Sequence, residues 1–257
     1  MTKPLVSIIM LVYNNVQYLK TAVDSVLEQS YDNWELLVND DGSTDGAWEL
    51  IQAMADADSR IKPQQSTARR GIPKNRKAAY DRSMGELVCH LDGDDALFPW
   101  SLETMVAHLE KNPDVAIAYS DFAWVDASGK VFSYYKSNDV QENLAQMQAS
   151  WRHLGMYRKS FYDKTDGINT RMLVACEDAD LFMQLAEVGK LLRVPYVLYK
   201  YRRHDKQTTA SDSTLTTRNC STCTERSYCN YIRVWCEHAN FDHITWTPLK
   251  PKEAAVA

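Results

Sequence analysis

The chain has 257 residues, of which 45% are hydrophobic and 25% charged, and its formal net charge is −5. This balance is typical of a globular protein that buries a substantial core in one large α/β unit, and the acidic charge argues against a general nucleic-acid binder. No stretch of the sequence approaches the ~20 apolar residues that cross a bilayer, and no secretory cleavage site follows the apolar run at 5–12. We therefore expect a cytoplasmic protein, with contact to the inner face of a membrane left open.

Strand and helix patterns alternate along the chain. A continuous apolar run rich in branched residues predicts a strand buried on both faces at 5–12. Further strands are predicted at 34–38, near Ile61, at 86–91, at 115–122 and at 191–201. Apolar residues at three- and four-residue spacing predict a helix at 19–27, and Pro73 suits the first turn of a helix at 73–84. Further helices are predicted at 47–55, 99–111 and 177–189. This order predicts an α/β fold, with a Rossmann-like, mostly parallel sheet and helices on both faces, followed by a C-terminal extension.

Two acidic turns follow strands of this predicted sheet. Asp40 and Asp41 come after the second strand, and Asp92, Asp94 and Asp95 lie within four residues after the fourth. In a parallel sheet, ligands bind beyond the carboxyl ends of the strands, so both turns are expected at the ligand-binding edge. Oxygen-rich clusters suit Mg²⁺ or Mn²⁺ together with phosphate, and a solvated acidic turn is the alternative.

A basic segment precedes the second acidic turn. Between Arg69 and Arg82 the sequence has one acid, Asp81, and six cations: Arg69, Arg70, Lys74, Arg76, Lys77 and Arg82. In an acidic protein this creates a local positive field that suits phosphates, and Arg76, early in the predicted helix, is the expected phosphate contact. The sequence contains neither GxGxxG nor GxxxxGK[ST], so it lacks the fingerprints of dinucleotide redox enzymes and of P-loop hydrolases.

The motifs of residues 5–204, in their order, resemble the family 2 glycosyltransferases, which are inverting enzymes of the GT-A fold. The resemblance is carried by VSIIMLVYNN, SVLEQSYDNWELLVNDDGSTD, KNRKAAYDRSMGELVCHLDGDDALFP, EDADLFMQL and YKYRRH. It implies a metal-dependent transfer of a sugar from a nucleotide donor, UDP-linked by family habit, to a hydroxyl group. The implied acceptor is a glycan, a lipid-linked sugar or a cell-surface polysaccharide, and the implied cofactor is a divalent cation, Mn²⁺ or Mg²⁺.

The resemblance also implies roles for individual residues. Contacts to the base fall to Tyr13, Asn14 and either Asp40 or Asp41, contacts to the rest of the nucleotide sugar to Arg76, Asp92, Gly93, Glu177 and Arg202, and metal contacts to Asp94, Asp92 and His204. Asp178 is the implied catalytic base. The sequence departs from the family pattern at Leu11, where proline is usual, at Lys77, where asparagine is usual, and at 166–169, where Gly-Gly-Phe is usual. These departures concern the donor pocket and the acceptor site rather than the catalytic carboxylates.

Three parts are expected along the chain: a nucleotide-sugar-binding half (1–136), an acceptor-binding and catalytic-base half (137–204) and a cysteine-bearing extension (205–257). The extension offers four possible ligands for a structural zinc ion: Cys220, Cys223, Cys229 and Cys236. The alternative is that these cysteines are ordinary reduced thiols. Two other functions stay open. One is a non-catalytic domain that binds a sugar nucleotide or a glycan, and the other is a sugar-phosphate nucleotidyltransferase, whose glycine-rich phosphate loop the sequence lacks.

Overall fold

One mixed sheet forms the centre of the protein. The computed structural model describes residues 3–137, 139, 153–170 and 177–205. Within these ranges the strands are β1 (Val6–Val12), β2 (Trp34–Asp40), β3 (Ile61–Gln65), β4 (Leu87–Asp92), β5 (Ala96–Leu97), β6 (Val115–Val125), β7 (Val131–Tyr135), β8 (Met156–Arg158) and β9 (Lys190–Arg202). The helices are α1 (Val16–Leu27), α2 (Ala47–Ala57), α3 (Ile72–Tyr80), α4 (Ser101–Lys111), α5 (Lys159–Tyr162) and α6 (Glu177–Val188).

The strand order is β3-β2-β1-β4-β8-β6-β9-β5, and β7 pairs with β6. The first four strands are parallel, β8 runs antiparallel between β4 and β6, and β9 lies parallel to β6. The predicted mostly parallel α/β sheet is therefore confirmed. The predicted division at residue 136 stays a prediction; strands from both sides of it share this one sheet.

Helices cover both faces of the sheet. Alternate side chains of a strand point to opposite faces, so Ile8 and Met10 of β1 join one core cluster while Ile9 joins the other. The first cluster includes apolar residues of α1, α2 and α4, and the second includes those of α3 and α6. Burial on both sides explains why β1 reads as a continuous apolar run rather than an alternating one.

The short elements β5, β7, β8 and α5 are not predicted by the sequence pattern, because two to five residues are too few for a periodic signal. The helix predicted at 73–84 ends at Tyr80. The N–H of Ser83 donates to the Tyr80 carbonyl at 2.8 Å, and the N–H of Met84 donates to Oε1 of Glu35 at 2.7 Å, which turns the chain towards β4. No helix among the described residues has the length and apolar character needed to span a membrane.

Candidate functional site

Both acidic turns lie at one edge of the sheet. In the strand register, Val12 of β1 is the partner of Asp40 on β2, and Leu11 is the partner of Asp92 on β4. The turns therefore flank the end of β1, one on each side, with Tyr13 and Asn14 between them. This is the juxtaposition expected for parallel strands that end together.

The turn after β2 holds its two carboxylates in different ways. Asp40 is fully buried and accepts hydrogen bonds from the N–H of Ser43, from its hydroxyl and from the side-chain amide of Gln65. Asp41 accepts from the backbone N–H groups of Arg70 and Gly71, at 2.8 and 2.9 Å. Asp40 thus shapes its own turn, whereas Asp41 holds the loop that leads into α3.

Tyr13 and Asn14 lie at the end of β1 beside this turn. The Tyr13 ring is 39% exposed, and the Arg69 guanidinium lies 4.1 Å from its centroid. Asn14 has a positive φ of 50°, its N–H donates to Oγ of Ser43, and its Oδ1 accepts from the N–H of Thr44. Asn14 therefore fixes the end of β1 to the turn after β2.

The turn after β4 separates its three carboxylates by burial. Asp95 is buried, and it accepts from the Tyr199 hydroxyl at 2.7 Å and from the N–H of Arg202 at 2.8 Å. Burial and the charges of Asp94 and Asp92 raise the pKa of Asp95 well above its usual range. The Asp92 and Asp94 side chains keep 46% and 22% exposure. Asp95 is thus an internal anchor, and the other two carboxylates face outward.

Gly93 makes this turn sterically possible. A Cβ at this position would lie 2.9 Å from Nδ2 of Asn15 and 3.0 Å from the carbonyl oxygen of Leu11. The N–H of Gly93 also donates to that carbonyl at 3.2 Å. Gly93 is therefore required by the close approach of the turn to β1, and its role in binding a nucleotide sugar stays a prediction.

Asp94 is held by two residues at the end of β9. Its Oδ2 lies 2.9 Å from Nε2 of His204, and its backbone carbonyl accepts from Nε of Arg202 at 2.7 Å. Nη1 of Arg202 donates to the carbonyls of Asp126 and Ala127, at 3.2 and 3.1 Å. Arg202, which the sequence suggests as a nucleotide-sugar contact, therefore braces the backbone of the turn in this structure.

A buried ion pair lies on the other side of Asp92. Nε of Arg76 is 2.8 Å from Oε1 of Glu177, and Nη2 of Arg76 is 3.8 Å from Oδ1 of Asp92. Burial alone would lower the pKa of Arg76, but the charges of Glu177, Asp92 and Asp178 outweigh it and raise that pKa. Burial raises the pKa of Glu177, against the attraction of Arg76. Partial burial and the charges of Asp94 and Asp178 raise the pKa of Asp92, again opposed by Arg76.

Asp178 lies in the first turn of α6 and is exposed. Its charge acts on Arg76 and Asp92, so the structure brings it to the same site. The predicted residues thus form two groups: a base-side group of Tyr13, Asn14, Asp40 and Asp41, and a second group of Arg76, Asp92, Asp94, Glu177, Asp178, Arg202 and His204. Tyr199 opens the quoted motif YKYRRH, but sequence reasoning gave it no role, and it also missed the anchoring role of Asp95.

The described residues offer few ligands for a metal ion at this site. Among the described residues, no group of three or more His, Cys, Asp or Glu side chains is arranged to hold a metal ion. The zinc alternative at Cys220, Cys223, Cys229 and Cys236 lies outside the described residues. Any metal at the Asp94–His204 pair would therefore need ligands from a substrate as well.

The sequence of this chain is similar to those of known glycosyltransferases. The sequence pattern that defines Glycosyl transferase family 2 matches residues 7–176. EpsE of Bacillus subtilis, which is named as a glycosyltransferase, is 30% identical over 203 residues, covering 77% of this chain and 73% of EpsE. The chondroitin synthase of Pasteurella multocida is 30% identical over 80% of this chain but only 21% of the synthase.

Solved structures share the fold. TarS 1-349 of S. aureus matches with a TM-score of 0.66 and 18% identity, covering 77% of this chain. The mannosyltransferase PcManGT of Pyrobaculum calidifontis matches with a TM-score of 0.62 and 20% identity, covering 82% of this chain. This chain spans 60% of the length of each of these two structures. The likeness places the sheet and its helices among Rossmann-like GT-A folds.

Proposed function

The chain belongs to glycosyl transferase family 2 and is a glycosyltransferase, and we propose that it transfers a sugar from a UDP-linked donor to a hydroxyl group, with inversion and with the help of a divalent cation. The acceptor in this proposal is a glycan, a lipid-linked sugar or a cell-surface polysaccharide. One observation carries the proposal: Oδ2 of Asp94 and Nε2 of His204 are in hydrogen-bonding contact at 2.9 Å, beside the half-exposed carboxylate of Asp92.

The donor set of this pair fits Mn²⁺ or Mg²⁺. Two ligands that bind one octahedral ion at ~2.1 Å and at right angles lie about 3 Å apart, close to the observed separation of Asp94 and His204. Carboxylate oxygen and imidazole nitrogen are both accepted by Mn²⁺, and few protein ligands leave room for phosphate oxygens. When bound, the cation would supply positive charge for the diphosphate that leaves the sugar.

A nucleotide sugar is supported as the donor by the solved neighbours. TarS structures hold UDP or UDP-GlcNAc, and PcManGT holds GDP-Man with Mn²⁺. In this chain the exposed Tyr13 ring offers an aromatic face for a base. Asp41 is better placed than the fully buried Asp40 to accept an N–H group of that base, in exchange for the N–H of Arg70 or Gly71.

The residues of the second group divide the chemistry among them. Asp178, exposed at the start of α6, accepts the proton of the acceptor hydroxyl while that oxygen bonds to the anomeric carbon and the bond from this carbon to the donor phosphate breaks. Arg76 holds Glu177 at the start of the same helix and thereby fixes the position of Asp178. The positive charge of Arg76 also lies near Asp92, on the side where the phosphates would bind.

The test is release of nucleoside diphosphate from a panel of nucleotide sugars, with Mn²⁺, with Mg²⁺ and with neither. Wild type is compared with Asp94→Ala and with a matched control, Asp56→Ala, which removes an exposed carboxylate from α2. We expect metal-dependent release from one donor, lost in Asp94→Ala and kept in the control. Absence of both release and binding across the panel would contradict the proposal and favour a non-catalytic domain.

A further inference from the structure

Tyr18 connects the two residues that hold Asp94. It lies in the first turn of α1, and its ring centroid is 4.6 Å from that of the His204 imidazole, with 39° between the ring planes. The Arg202 guanidinium carbon lies 4.9 Å from the centroid of the same ring. One aromatic side chain therefore contacts both groups, although no sequence motif marks it.

The two groups act on Asp94 at different points. His204 reaches the carboxylate through Nε2, whereas Arg202 reaches the backbone carbonyl through Nε. Arg202 is the last residue of β9, and His204 lies two residues beyond it, where the chain leaves the sheet. The guanidinium also donates to the carbonyls of Asp126 and Ala127. Among the described residues, Tyr18 contacts both the imidazole and the guanidinium from another element, α1.

The Tyr18 ring forms part of the wall of a pocket. A pocket of about 300 Å³ opens beside it, lined by Gln17, Tyr18, Ala127, Arg203, His204 and Asp205. The His204 ring could rotate into this volume if the wall formed by Tyr18 were shortened. Packing against an aromatic ring restricts a side chain to fewer rotamers.

We propose that Tyr18 is a positioning residue of the metal-binding end of the site: its ring holds His204 and Arg202 so that the Asp94 carboxylate and the imidazole present their donor atoms together. The inference rests on the proposed function for the identity of the ligand, a divalent cation bound with a nucleoside diphosphate. Tyr18 itself would touch neither the cation nor the nucleotide. Partners that orient metal ligands typically contribute ~10–100-fold to metal affinity.

The experiment measures Mn²⁺ binding in the presence of saturating UDP, by electron paramagnetic resonance of free Mn²⁺ and by calorimetry. The variants are Tyr18→Phe, which keeps the ring, and Tyr18→Leu, which removes it. Tyr18→Met provides a second ringless side chain if the leucine variant does not fold. Tyr196→Leu is the matched control, because it removes a 54% exposed tyrosine that also lies beside a histidine, His108, but away from the site.

We expect Tyr18→Phe and Tyr196→Leu to bind Mn²⁺ within about twofold of wild type, and the ringless variants to bind ~10–100-fold more weakly. Binding of UDP without metal should stay unchanged in all variants, which a general loss of structure would not allow. Ringless variants that bind Mn²⁺ like wild type would overturn the inference, as would a phenylalanine variant as weak as leucine. If the wild-type protein does not bind Mn²⁺ in the presence of UDP, the metal assignment of the proposed function is overturned, and the inference with it.

Discussion

Asp94 and His204 lie 110 residues apart in the sequence, and their side chains meet at 2.9 Å. The contact joins the turn after β4 to the end of β9, two strands that are not neighbours in the sheet. Asp95 makes a second connection between the same segments, through the Tyr199 hydroxyl and the N–H of Arg202. The geometry of the acidic turn therefore depends on the last described strand as much as on its own residues.

Replacement of the proposed base tests the chemical step alone. We expect Asp178→Asn to reduce transfer by ~10²–10⁴-fold, because the amide cannot accept the acceptor proton. Donor affinity should be unchanged, since Asp178 is exposed and lies outside the proposed metal pair. Initial rates of transfer and calorimetric titration with the donor measure the two effects, with Asp56→Asn as the matched control. Near-normal transfer in Asp178→Asn would remove this residue from the mechanism.

The buried pair of Arg76 and Glu177 predicts a large effect on stability. Arg76→Met leaves the Glu177 carboxyl buried without its partner, which costs about 3–5 kcal/mol in comparable cases. An unpaired buried carboxyl avoids part of this cost by binding a proton, so the loss should grow as the pH rises. The double variant Arg76→Met, Glu177→Met should recover most of the free energy of unfolding in urea. A double variant as unstable as Arg76→Met would show that the pair is not the cause.

Gly93 predicts a steric effect at the turn. In Gly93→Ala the new Cβ would lie 3.0 Å from the backbone carbonyl of Leu11, so the turn must shift. We expect a loss of about 1–3 kcal/mol in unfolding free energy together with weaker binding of UDP and Mn²⁺. Gly155→Ala is the matched control, since its Cβ would come no closer than 3.4 Å to any neighbour. Equal stability of the two alanine variants would contradict this explanation of Gly93.

His153 predicts a pH dependence of the unfolding free energy. Burial lowers the pKa of His153 to about 4, partly opposed by the charge of Asp178. An unfolded histidine binds a proton below about 6.5, so this group favours the unfolded state increasingly as the pH falls from ~6.5 to ~4. Above pH ~6.5 the imidazole is neutral in both the folded and the unfolded state, so the stability of the folded state is not reduced by this group. The ring stacks on Tyr199 at 4.8 Å, and His153→Phe keeps an aromatic ring there.

The measurement for His153 is unfolding free energy in urea at several pH values between 4 and 7.5. We expect the decline on acidification to be shallower in His153→Phe than in wild type, with the difference confined to the window below pH ~6.5. Parallel curves for the two proteins would assign the acid sensitivity to other groups.

Much of this architecture can be predicted from local sequence. The strands β1, β2 and β4 are mostly apolar because helices cover both faces, and the acidic turns lie at the carboxyl ends of β2 and β4, at a shared edge. The motif order adds candidate roles that neither periodicity nor charge supplies. What local sequence cannot supply is pairing over distance: the contact of Arg76 with Glu177 spans 101 residues. Nor does it separate Asp95 from Asp94, because three neighbouring carboxylates look alike until Tyr199 and Arg202 reach one of them.

The position of β9 has a consequence for synthesis of the chain. This strand inserts between β6 and β5, and β5 pairs only with β9 among the described strands. A nascent polypeptide that has emerged from the ribosome as far as β6 already contains the whole acidic turn, but it lacks Tyr199, Arg202 and His204. Asp94 and Asp95 then carry their charges without these partners. The proposed site for a metal–nucleotide complex is therefore complete only after the segment through residue 204 has been translated and has paired.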